Sequence, residues 1–123
     1  MAGSAATAAT LTPIPAAAQE SALALHAEGA EGKAIRALRD GTFLALVHGP
    51  AALAALVRDG SLPTTPAEAA ARLARDDAPL HSALLRLLAA GDRNEAVRHL
   101  RRDTDLDLAN AHLLIKELEQ PAG

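Results

Sequence analysis

An internal repeat constrains this chain more than any other feature. Sliding the sequence by 62 positions lays residues 23–57 over residues 85–119 without a gap. Identities fall at Leu23/Leu85, Leu25/Leu87, Ala27/Ala89, Gly29/Gly91, Ala34/Ala96, Arg36/Arg98, Leu38/Leu100, Arg39/Arg101, Thr42/Thr104, Leu44/Leu106, Leu46/Leu108 and Leu56/Leu118. A chain rich in Ala and Leu matches itself by chance, so the weight rests on the Gly, the two Arg and the Thr, which recur in order and in frame. One copy of about 35 residues is too small to bury its apolar faces alone. The copies therefore have to pack on each other or on a second chain.

Composition decides what those copies are made of. The 123 residues include one aromatic side chain, Phe43, and no Trp, Tyr or Cys. Burial must come from Leu, Val, Ile and Ala, and each fully buried Leu is worth roughly 1.5 to 3 kcal/mol. Ala and Leu are strong helix formers, whereas the aromatic and β-branched residues that favour strands are scarce. The absence of Cys excludes a disulfide framework, a thiolate metal site and a thiol nucleophile.

The pattern predicts an all-α bundle of about seven short helices. They cover residues 16–28, ending at Gly29; 32–40, stopped by Gly41; 50–59, opened by Pro50 and closed by Gly60; 66–75; 78–90; 92–102; and 108–119, ended by Pro121. Capping boxes are predicted at Thr65/Glu68 and Asp92/Glu95, and Asp107 is placed to cap the last helix. In that helix Leu108, Ala111, Leu114, Ile115 and Leu118 form an i, i+3, i+4, i+7 stripe. Residues 42–47, around Phe43, alternate loosely but have no second strand to pair with, so they read as a buried connector.

The predicted organisation is a disordered tail over 1–15, a first helical repeat over 16–60, a linker and bridging helix over 61–77, and a second repeat over 78–120. The tail lacks hydrophobic periodicity and lacks the charged and Leu-rich regions of a secretory signal. No apolar run approaches the roughly 18 residues a membrane helix needs. A soluble, cytoplasmic protein is the expectation.

From Ala89 to Ile115 the sequence resembles the helical hairpin of the ribosomal protein L7/L12 C-terminal domain and the short stand-alone bacterial proteins that share it. The residues that carry the likeness are Gly91, Ala96-Val97-Arg98, Arg101, Thr104-Asp105-Leu106-Asp107-Leu108 and Ala111. Two degenerate copies of the hairpin are present, with Asp105 and Asp107 standing where the family has turn glycines. The resemblance implies a partner-binding surface on the first hairpin helix, whose basic residues contact proteins such as translation factors. It assigns that role to Arg98 and Arg101 and, through the repeat, to Arg36 and Arg39.

Arg93 and Arg102 extend the same basic patch, which would dock an acidic or mixed protein surface. Its competitor is a solvated helix face compensated by Asp92, Glu95, Asp103 and Asp105. Other chemistries are poorly represented. His26, His48, His81, His99 and His112 are scattered without helical metal-site spacing, and Asp103, Asp105 and Asp107 lack the glycine and terminal Glu of a calcium loop. Ser4, Ser21, Ser61 and Ser82 sit in no nucleophile elbow, and no Gly-rich phosphate loop is present. The expectation is a non-enzymatic interaction module without cofactor, open to self-association. The alternative is a helix-turn-helix DNA-binding regulator, disfavoured by a net charge of −3 and by the nearly neutral face of residues 108–119.

Overall fold

A computed structural model describes residues 6–40, 42 and 44–120 of the chain. Among these residues the fold is all-α, with eight α-helices and one 3-10 turn. The helices are α1 (Ala8–Leu11), α2 (Ala16–Ala27), α3 (Glu31–Arg39), α4 (Gly49–Asp59), α5 (Pro66–Asp76), α6 (Ala78–Ala89), α7 (Arg93–Thr104) and α8 (Leu108–Glu119); the 3-10 turn, Leu46–His48, leads into α4. No described helix is long and apolar enough to cross a membrane. No described residue forms a strand. Gly41, Phe43 and Pro121, which the sequence marks as stops and connector, lie outside the described residues.

The helix starts follow the repeat offset. α2 and α6 begin at Ala16 and Ala78, α3 and α7 at Glu31 and Arg93, and the 3-10 turn and α8 at Leu46 and Leu108. Gly29 and Gly91 end the first helix of each set with φ of 81° and 79°, a conformation that a side chain resists and glycine adopts freely. Two cores result. Ala22, Ala34, Leu38, Leu44, Ala52, Leu53 and Leu56 fill the first, and Leu73, Leu80, Leu84, Ala96, Leu100, Leu106, Ala111, Leu114 and Ile115 fill the second.

Residues 6–15 are not a tail. Ala6, Ala8, Leu11 and Ile14 are 0–2% exposed, and α1 packs against both α4 and α5. Its two sides serve different cores: Ala8 and Leu11 belong to the second, Ala9 and Ile14 to the first. Helix propensity does not explain so short an element; burial between two apolar surfaces does. The adjoining strap is fixed by Gln19, buried in α2. Its amide nitrogen donates to the carbonyls of Ile14 (2.8 Å) and Leu62 (2.9 Å), and its Oε1 accepts from the Leu62 N–H (2.9 Å).

α5 is Ala-rich but carries more than Leu73. Its Arg72 is buried and bridges Asp59, at the end of α4, to Asp76. Paired hydrogen bonds from Arg58 to Asp59 (2.9 and 3.0 Å) lower that carboxyl to about 2, against the opposing effect of partial burial and with Arg72 assisting.

Four local expectations are corrected. The connector is not buried throughout: Leu44 is, but Ala45, Leu46 and Val47 are exposed. Asp92 makes no side-chain cap to α7, and no return bond from Glu95 forms either: the Asp92 N–H donates to the Leu87 carbonyl and the Glu95 carboxylate accepts from Arg98. Glu68 does not close a box with Thr65; its carboxylate accepts from the N–H and hydroxyl of Thr64. Finally, Leu108 leaves the apolar stripe of α8 and stands 51% exposed.

Candidate functional site

The α7–α8 junction is built around a polar clamp. The Thr104 hydroxyl donates back to the Leu100 carbonyl (2.6 Å), and Thr104 Oγ1 accepts from the Leu106 N–H (3.3 Å). Between them Asp105 takes φ of 66°, the left-handed conformation that Asp tolerates better than most residues. Arg101 closes the turn by donating its Nε to the Leu106 carbonyl (3.2 Å). Asp107 then caps α8, accepting from the N–H of Asn110 (3.2 Å) and from its side-chain amide (2.7 Å).

The same clamp occurs at the α3 end of the first copy. The Thr42 hydroxyl donates to Leu38 (3.1 Å), Thr42 Oγ1 accepts from Leu44 N–H (3.3 Å), and Arg39 Nε donates to the Leu44 carbonyl (3.3 Å). The repeated Arg pair therefore divides. Arg39 and Arg101 hold turns, whereas Arg36 and Arg98 stand on exposed helix surface.

Beside the clamp lies a groove of about 290 Å³, lined by Asn94, Val97, Arg98 and Arg101 from α7 and by Leu108 and His112 from α8. The α7 residues fall at i, i+3, i+4 and i+7, one ridge of the helix. Its floor is apolar, its rim cationic. Arg98 donates to Glu95 (2.8 Å) across exposed surface, a pair of little net strength. Arg101 forms no ion pair among the described residues. The two carboxylates of the turn are engaged elsewhere: Asp105 Oδ2 lies 2.9 Å from His48 Nε2 of the first copy, and Asp107 caps α8.

The remaining predicted residues fall around this groove or away from it. Arg93 sits at one end, with Nη1 3.0 Å from His112 Nδ1 and Nε 3.0 Å from Glu119. Arg102 points to a different cleft of about 570 Å³, with Asp77, Pro79, Leu80, Ala83, His99 and Asp103. There the polar groups are already committed, because His99 and Arg102 both approach Asp103 (3.3 and 3.6 Å) and Asp77 accepts from the Leu80 N–H at the start of α6. Arg36 and Arg39 belong to the other hairpin. The groove between α3 and α4, about 350 Å³, is lined instead by His26, Glu31, Ile35, Pro50, Leu53, Ala54 and Val57.

Sequence reasoning missed Leu108, Val97 and His112 as groove residues. Helical periodicity assigns Leu108 and Val97 to the core, which holds for Val97, 6% exposed and packed in the second core at the groove's base, but not for Leu108; an isolated His carries no spacing signal. A clue was available in the identity of Leu46 and Leu108, both exposed, at 67% and 51%. Comparison of the chain with protein-family models, with curated proteins and with solved structures returned no match.

Proposed function

We propose that the protein is a cytoplasmic, non-enzymatic interaction module that docks an acidic segment of a partner protein in the α7–α8 groove. The observation that carries this is Arg101. Its Nε is anchored on the Leu106 carbonyl, so its guanidinium is preoriented beside an exposed Leu and a second Arg, with no carboxylate paired to it among the described residues. Preorientation lowers the entropy that a long side chain loses on binding, and guanidinium suits bidentate carboxylate recognition. The likeness of residues 89–115 to the L7/L12 hairpin supports the same face, since the resemblance implies basic contacts from its first helix.

The test is a titration of isotope-labelled protein with an acidic peptide, followed by backbone amide shifts. The expected shifts cluster at residues 94–101 and 108–112, and Arg98→Glu with Arg101→Glu weakens binding by about tenfold or more, roughly 1.4 kcal/mol. Shifts elsewhere, or unchanged affinity in the double variant, would sink the assignment. Tight, salt-sensitive binding to duplex DNA in place of the peptide would instead favour the helix-turn-helix alternative.

A further inference from the structure

Arg101 lines two hollows. One is the α7–α8 groove; the other is a cleft of about 240 Å³ between the two halves of the chain. Val47 and His48, from the 3-10 turn that leads into α4, line this cleft on one side, and Asp105 and Asp107, from the turn that leads into α8, line it on the other. The halves touch there through His48 Nε2 and Asp105 Oδ2, 2.9 Å apart. Val47 is 76% exposed and belongs to neither core.

We propose that the two hollows form one docking path over Arg101, and that its occupant is a partner segment of mixed charge, with carboxylates at Arg98 and Arg101 and, beyond them, an apolar residue on Val47 and a lysine or arginine at Asp105 and Asp107. This deepens the docking function proposed for the α7–α8 groove and rests on it. Charge complementarity selects the occupant. The α7–α8 groove has Arg98 and Arg101 in its lining and Arg93 at its end, whereas the cleft sets two carboxylates against the one guanidinium of Arg101. A wholly acidic segment that suits the groove is therefore repelled by the cleft.

Both carboxylates keep capacity for a cation. The Asp105 side chain gives one oxygen to His48 and is 80% exposed. Asp107 accepts from Asn110 with each oxygen, and a carboxylate has about four acceptor positions. The helix dipoles do not reverse this sign, because the C-terminus of α7 and the N-terminus of α8 meet at the turn and oppose each other. The path thus changes sign once along its length, from Arg93 at one end to Asp105 and Asp107 at the other. A bound segment has one favoured direction, and it touches both halves of the chain.

Calorimetric titration of the full chain with three peptides tests this: an acidic peptide of Leu flanked by Glu, and the same peptide extended by Val and two Lys at its N-terminal or at its C-terminal end. One extension is expected to tighten binding by about threefold or more at low ionic strength, the effect of exposed ion pairs, with the gain fading as salt is added; the other extension meets Arg93 and gains nothing. Asp105→Asn with Asp107→Asn abolishes the gain without weakening the unextended peptide. Asn tolerates positive φ at 105 and caps a helix as well as Asp at 107, and an unchanged melting temperature checks that the fold is kept. Val47→Ser, outside both cores, weakens the extended peptide alone. If the acidic peptide binds but neither extension helps, both help equally, or the gain survives the two Asn substitutions, the path over Arg101 is overturned and the α7–α8 assignment stands. No saturable binding of any of the three overturns both.

Discussion

Gly49, at the start of α4, packs directly against Ile35 of α3. A Cβ built on Gly49 falls 2.5 Å from Ile35 Cγ2, at least about 1 Å inside the optimal separation of two carbons. Adding one methyl group must therefore push Ile35 or the start of α4 aside, and overpacking of this kind costs about 1–3 kcal/mol. Ala exceeds Gly in helix propensity by about 1 kcal/mol in a helix interior, and by less at a helix start. The net expectation for Gly49→Ala is a destabilisation of about 1–2 kcal/mol.

Ile35→Leu removes the γ2 branch that meets the new methyl while keeping the volume, and alone costs less than about 1.5 kcal/mol. In the double variant the clash is gone, so the two changes are expected to be non-additive by about 1 kcal/mol, the coupling typical of residues in contact. The corresponding positions of the second copy carry Ala111 and Val97, a larger residue on the last helix and a smaller one on the middle helix. With no Trp or Tyr in the chain, unfolding is followed by far-UV circular dichroism in urea and on heating. Gly49→Ala at or above wild-type stability would refute the argument, as would strict additivity with Ile35→Leu.

Three other outcomes follow from the same structure. Leu11→Ala is expected to cost about 2–5 kcal/mol because Leu11 is 1% exposed and its removal leaves a cavity; a melting temperature equal to wild type would return residues 6–15 to a tail. Gln19→Ala strands the N–H and carbonyl of Leu62 and should cost about 1–3 kcal/mol in urea unfolding, with a loss below about 0.5 kcal/mol arguing against the strap. The Asp59 carboxyl is lowered from 3.8 to about 2 by Arg58 first and Arg72 after it. A depressed folded pKa stabilises above the unfolded value and loses that stabilisation as pH falls through the folded one. Stability should thus fall between about pH 4 and pH 2, and Arg58→Gln should flatten that fall; an unchanged acid limb would exclude Asp59 as a contributor.

The periodicity of Leu and Ala made α2 to α8 legible, because those helices are long enough to repeat an apolar face and carry Pro or Gly at their ends. α1 was not. Four residues of Ala, Thr and Leu have no period, and what orders them is the pair of cores on either side, a tertiary cause invisible in the local pattern. The offset did carry a trace of it, since Leu11 maps onto Leu73 and Ala8 and Ala9 map onto Ala70 and Ala71. The basic patch was legible as charge but not as geometry. Arg98 and Arg101 look equivalent one turn apart, yet Arg101 is close enough to the helix end for its Nε to reach the Leu106 carbonyl, and Arg98 is not. The repeat holds Arg39 and Arg101 in place for the turn, so their recurrence says nothing about binding. Leu108 shows the converse. Its spacing reads as core, yet it stands 51% exposed on the first turn of α8, where it lines the α7–α8 groove together with Arg101.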